Sequence, residues 1–159
     1  MTTTSNNEKA RKQVLRWLRH GELTRARAGE RLLEKGFDAK VTDGVIDELA
    51  AEGILDDARC AESLVNAWCR SGPIAAAELE RRLLERGVDA QLAASICMEA
   101  CSEDQLDDAI AAAKARLGRL GDLPGDVLAR RLYQHLARRG FDEDTACRTL
   151  DALGLSPVD

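Results

Sequence analysis

The chain has 159 residues and a formal net charge of −5; 45% of its residues are hydrophobic but only 3% are aromatic. So few aromatics leave Ala and Leu to fill the core, which favours close helix packing and argues against a β-sandwich. The acidic balance argues against a dedicated nucleic-acid binder, whose affinity comes largely from neutralising phosphates.

The N-terminal MTTTSNNEKARKQ has no apolar stretch of the kind a signal peptide needs, and no apolar run elsewhere is long enough to span a membrane. Residues 1–7 read as a flexible lead into a soluble, cytoplasmic chain. Apolar residues then recur at helical spacing. The spacing predicts helices near 8–19, 24–35, 39–52, 57–71, 74–86, 90–101, 104–118, 124–139 and 143–153.

Between the second and third helices stands LLEKGFDA (Leu32 to Ala39). Leu32 and Leu33 sit in the last turn, and Lys35 puts positive charge at the negative end of the helix dipole. Gly36 fits the left-handed position that ends helices, Phe37 folds back onto the last turn, and Asp38 caps the next helix. EGILDDARC (Glu52 to Cys60) is a second kind of joint. Here Gly53 stops a helix, Ile54 packs back, Asp56 caps the fourth helix, and Leu55 can staple onto Cys60. Capping and dipole complementarity account for Asp56 and Asp57 without acid–base chemistry.

Further along, Ala61, Leu64, Val65 and Trp68 share a helix face, as do Ala76, Leu79 and Leu83. LLERGVDA (Leu83 to Ala90), 51 residues after the first copy, repeats each role with Arg86, Gly87, Val88 and Asp89. SEDQ (Ser102 to Gln105) reads as a capping box for the seventh helix, and GDLPGD (Gly121 to Asp126) breaks that helix. HLARRGFDE (His135 to Glu143) is a third copy of the joint, with Arg139, Gly140, Phe141 and Asp142. Nine helices with one such joint per three mark a tandem helical repeat. The expected fold class is all-α, with three tandem three-helix repeats at 8–53, 54–102 and 103–154 and a tail at 155–159. Stacked, they would form an elongated, curved module with a long side surface and no deep central pocket.

Signatures of catalysis are missing: no phosphate-binding glycine loop, no GxSxG and no HExxH. His20 and His135 read as surface or interfacial side chains rather than general bases. Cys60, Cys69, Cys97, Cys101 and Cys147 lack a secretory context and read as reduced, buried thiols. Without CxxC spacing they do not predict a metal site. A non-enzymatic chain with no cofactor is expected.

Arginine clusters remain: Arg25, Arg27 and Arg31, then Arg81 and Arg82, then Arg130–Arg131 and Arg138–Arg139. All fall on the second helices of the three repeats. They read either as a basic track for an acidic protein surface or nucleic-acid backbone, or as solvated faces paired with Glu30, Glu34, Glu78 and Glu85.

Three strings, LLEKGFDAKVTDGVIDELAAEGILDDARCAESLV, ERRLLERGVDA and RRLYQHLARRGFDED, resemble in their order and spacing the RecX family of bacterial recombination regulators. The likeness runs from about Lys9 to Leu153. Its specific parts are the GF-D joint, GxLDDxRxA (Gly53 to Ala61) and the terminal RRLYxxLxRRGFD. It implies three tandem three-helix repeats and a modulator, usually an inhibitor, of the RecA recombinase. Such proteins bind RecA filaments along their groove and limit filament growth, ATP hydrolysis, strand exchange and coprotease activity, in DNA repair and the SOS response. The partner implied is RecA or a RecA–DNA filament, with weak DNA contact through the filament. The chain itself is expected to be a monomer whose contacts centre on the nine arginines named above.

The chain departs from the family pattern in two places. Cys60 stands where a bulky Phe is usual, and Ala75 to Ala77 stand where basic residues are expected after the fourth helix. Residues 58–118 hold seven Lys or Arg against ten Asp or Glu, which points away from DNA contact by the middle repeat and towards protein contacts. The alternative is a helix-turn-helix-like DNA-binding protein acting without RecA, because Gly-jointed three-helix units can set a recognition helix in a major groove.

Overall fold

The structure, a computed structural model, describes residues 2–155; all but Leu155 of the expected C-terminal tail lies outside them. The described residues form nine α-helices and no strand: α1 (Thr2–Leu18), α2 (Arg25–Glu34), α3 (Ala39–Ala51), α4 (Asp57–Trp68), α5 (Ala76–Glu85), α6 (Ala90–Ala100), α7 (Gln105–Leu117), α8 (Gly125–Arg138) and α9 (Glu143–Ala152). A single 3-10 turn, Cys69–Ser71, closes α4.

Two local expectations are corrected. Residues 2–7, expected to be flexible, belong to α1. Ala10 and Val14 are fully buried, and a helix nucleated there extends backwards far more cheaply than it starts. The capping box at SEDQ does not form. Asp104 caps α7 by accepting from Leu106 N, while the Ser102 hydroxyl and amide both donate to the buried Asp108 carboxylate at 2.7 and 2.9 Å. Asp108 offers Ser102 a charged acceptor, a stronger partner than a neutral backbone group.

The chain divides into two compact units, one of residues 2–64 with Leu83–Leu92, the other of Val65–Arg82 with residues 93–155. In the first, α3 packs on α1 and α2 around Val14, Leu32, Val45 and Leu49. The joint after α2 has the expected geometry: Phe37 N donates to Leu32 O at 3.1 Å, the hydrogen bond that closes a helix through a left-handed glycine. Asp38 accepts from Val41 N at 2.8 Å, and Asp56 caps α4 through Arg59 N at 3.1 Å. At the joint after α5, Asp89 accepts from Gln91 N and Leu92 N.

Gly87 does more than end a helix. It has φ +79°, and a Cβ there would overlap the Cβ of Ala26 in the first turn of α2. Beside it the N-cap hydroxyl of α2, Thr24 Oγ1, donates to Arg86 O at 2.5 Å.

The second unit repeats this arrangement. There α7, α8 and α9 pack against one another around Leu132, Leu136, Phe141 and Leu150. Ala109, Ala112 and Ala113 are fully buried, so α7 is approached closely by its neighbours. Gly140, φ +85°, lies where a Cβ would overlap the Glu78 side chain in the first turn of α5. Ala75 N donates to Arg139 O at 3.0 Å, the counterpart of the Thr24–Arg86 contact. Asp142 caps α9 through Thr145 N. Gly36 and Gly53 also have positive φ, but a Cβ at either would meet nothing within 4 Å.

Candidate functional site

The arginines singled out by the sequence have different fates. Arg25 pairs with Asp47 at 2.8 Å and Arg27 with Glu30 at 2.7 Å. The guanidinium of Arg31 lies over the Trp17 ring, 5.4 Å from its centroid. Arg81 and Arg82 both reach Glu78 at 2.8 Å, and Arg82 also lies over Trp68. The hydrogen bond from Arg81 is the first cause holding Glu78 well below the usual carboxylate range, at about 2. The pairs of Arg27, Arg81 and Arg82, at helical spacing, are the solvated faces expected of charge runs; with the Arg25–Asp47 bridge they engage four of the five arginines.

Arg139 is turned inward. Its Nε donates to Pro73 O at 2.6 Å and its Nη2 to Gly72 O. Gly72 is pressed against α7, where a Cβ would stand 3.3 Å from Ala112 Cα. Arg139 therefore ties the end of α8 to the segment between α4 and α5, and it leaves the set expected to meet a partner.

Arg130, Arg131 and Arg138 are exposed, and among the described residues no carboxylate lies within 4.0 Å of them. Arg131 and Arg138 share one face of α8 with His135, by i, i+4 and i+7 spacing. Arg116 and Arg119, at and just past the end of α7, join this face near His135 although no local pattern singles them out. Burial first, then the charges of Arg139, Arg116, Arg138 and Arg119, push the His135 pKa down from 6.5 to about 4. The ring is neutral at pH 7. Its Nε2 and the Nε of Arg116 are buried without a hydrogen-bond partner among the described residues, which is uncommon for buried polar atoms. The result is an α7–α8 face of Arg116, Arg119, Arg131 and Arg138 around His135, with none of the four arginines paired to a carboxylate among the described residues. Such a face attracts acidic or phosphate-bearing surfaces and contributes chiefly to encounter and specificity.

Burial raises the thiols of Cys60 and Cys101 to about 11, far from the thiolate a nucleophile needs. Cys147 is exposed, contrary to the expectation of buried thiols, because it lies on the outer face of α9. Among the described residues, no group of three His, Cys, Asp or Glu is placed to hold a metal ion, and no helix is long and apolar enough to cross a membrane.

Comparison with known proteins gives a consistent family. Residues 103–150, which carry the α7–α8 face, match the third three-helix domain of RecX. The regulatory protein RecX of Mycobacterium avium (strain 104) is 31% identical over 147 residues, 92% of this chain and 85% of that protein. The regulatory protein RecX of Mycobacterium tuberculosis (strain H37Rv) is 30% identical over 155 residues, 95% of this chain and 89% of that protein. The crystal structure of RecX from Lactobacillus salivarius aligns with a TM-score of 0.72 at 18% identity, over 96% of this chain and 99% of that one. At that identity the structural match speaks for the fold, and the sequence relatives carry the family.

Proposed function

The chain belongs to the RecX family of regulatory proteins, and on that premise we propose that it binds RecA or RecA–DNA filaments and inhibits their recombinase, ATPase and coprotease activities. In this reading it is a cytoplasmic, monomeric regulator in DNA repair and the SOS response. It catalyses no reaction and needs no cofactor. Its three tandem sets, 8–53, 54–102 and 103–154, supply repeated contacts. The observation that carries the reading is the α7–α8 face: guanidinium groups with no carboxylate partner among the described residues, gathered on a chain of net charge −5. An acidic chain that concentrates free arginines at one place is built to meet a negative surface there while repelling it elsewhere.

The reading moves the centre of contact. Arg25, Arg27, Arg31, Arg81 and Arg82 are occupied within the fold and contribute at the rim. Arg116, Arg119, Arg131 and Arg138 bear the main contact, whereas Arg130 lines the α8–α9 groove with Asp126 and Asp151 and lies off this face. The test is binding of the Arg131→Glu/Arg138→Glu double variant to RecA filaments assembled on single-stranded DNA. Both positions are exposed, so helicity should be kept, while filament affinity should fall by about tenfold or more. Unchanged affinity would remove this face from the interface. Binding of the unaltered chain to naked duplex, with a steep salt dependence, would favour the helix-turn-helix alternative.

A further inference from the structure

The three alanines that open α5, a departure from the family pattern, shape a second surface in the second unit, distinct from the arginine face. They border a groove of about 720 Å³ lined also by Ala94, Cys97, Met98 and Phe141. Met98 is 82% exposed, a large apolar side chain with no cover. Burial raises the Cys97 thiol, and the Cys101 thiol is pushed up to about 11, so both are uncharged at neutral pH. The charged residues lining the groove are Glu80, Glu103 and Asp142, and no basic residue lines it. Asp142 is engaged as the cap of α9. Glu80 and Glu103 have no cation within 4.0 Å among the described residues.

An anionic ligand has no purchase here. Amides at the start of α5 are already engaged: Ala75 N donates to Arg139 O, Ala76 N to Gln105 Oε1 and Glu78 N to Ala75 O, each at 3.0 Å. What the groove offers is small apolar residues, one flexible and polarisable Met, and carboxylates. That combination receives an amphipathic helix: apolar anchors enter the groove, Met adapts to their shape, and flanking cations meet the carboxylates. We propose that the groove bordered by Ala75 to Ala77 and Met98 is a docking site for a partner protein's amphipathic helix whose apolar face is flanked by Lys or Arg. This proposal does not depend on the RecA reading, since neither the residues nor the charge sign are shared with the arginine face.

The test uses the full chain and a fluorescent Leu/Lys amphipathic helical peptide of about four turns, long enough to be helical when bound. A matched Leu/Glu peptide and a single-stranded oligonucleotide serve as further probes. Saturable binding of the Leu/Lys peptide is expected, with no binding of the Leu/Glu peptide. The Met98→Ser variant and the Glu80→Gln/Glu103→Gln variant should each weaken it by about tenfold, as loss of an anchor or of its rim charges does. Circular dichroism checks that both variants keep their helices. The proposal is overturned if the Leu/Lys peptide does not bind or binds both variants as well as the parent, which would be unspecific attraction to an acidic chain. It is equally overturned if the groove instead takes the oligonucleotide or a second copy of the chain, the latter seen as self-association abolished by Met98→Ser.

Discussion

His135 illustrates how a side chain's environment can reverse its expected behaviour. The sequence places it on a helix among arginines, and the fold adds burial and two more arginines from α7. Its folded pKa of about 4 lies below the unfolded value of 6.5. Above pH 6.5 the ring is neutral in both states and contributes no pH dependence. As pH falls below 6.5 the unfolded chain takes up a proton that the folded chain refuses until about pH 4, so stability is lost across that window. Glu78, lowered from 4.5 to about 2, adds its own loss at the acid end of the window, where the unfolded carboxyl protonates, but it does so in parent and variant alike. The His135→Gln variant should therefore show a flatter stability profile between pH 6.5 and 4 in urea melts. A profile parallel to that of the parent would contradict the burial of the ring. Arg139 makes the complementary point: its role as an internal tie depends on carbonyls at Gly72 and Pro73, more than sixty residues away, which no local pattern announces.

At the scale of elements, the joints were legible because their chemistry is local. Gly36, Gly53, Gly87 and Gly140 all end helices with positive φ, and Asp38, Asp56, Asp89 and Asp142 all cap the next one. Helix ends determined by competition or by burial were not legible. Ser102 is drawn away from the α7 cap by Asp108, and α1 runs back to Thr2 because its later turns are buried. Arg116 and Arg119 escaped notice because they stand apart in sequence from the α8 arginines they join. The glycines also differ in a way the sequence hides. Gly36→Ala meets only the cost of a left-handed backbone, about 1–2 kcal/mol. Gly87→Ala and Gly140→Ala add overlap with Ala26 and Glu78, and should each cost about 2–5 kcal/mol. Chemical denaturation of the three variants checks the ranking; equal losses would mean that the two later joints are not packed as described.

For the whole molecule, charge is the property that links the parts to the task. A chain of net charge −5 pairs off five of its singled-out arginines or stacks them on rings, turns Arg139 inward onto backbone carbonyls, and leaves Arg131 and Arg138 beside His135 with no carboxylate within 4.0 Å among the described residues. A dedicated DNA binder has no reason to neutralise its own cations in this way. The family likeness was legible because joints and helix faces recur in order along nearly the whole chain, whereas which arginines are engaged within the fold was not, since pairing is a property of the fold. The most direct test is DNA-dependent ATP hydrolysis by the host's RecA on single-stranded DNA, with this protein titrated in and the same DNA probed without RecA. Hydrolysis falling at substoichiometric amounts, while naked DNA stays unbound, is the predicted result. Hydrolysis that is untouched at stoichiometric excess would contradict it.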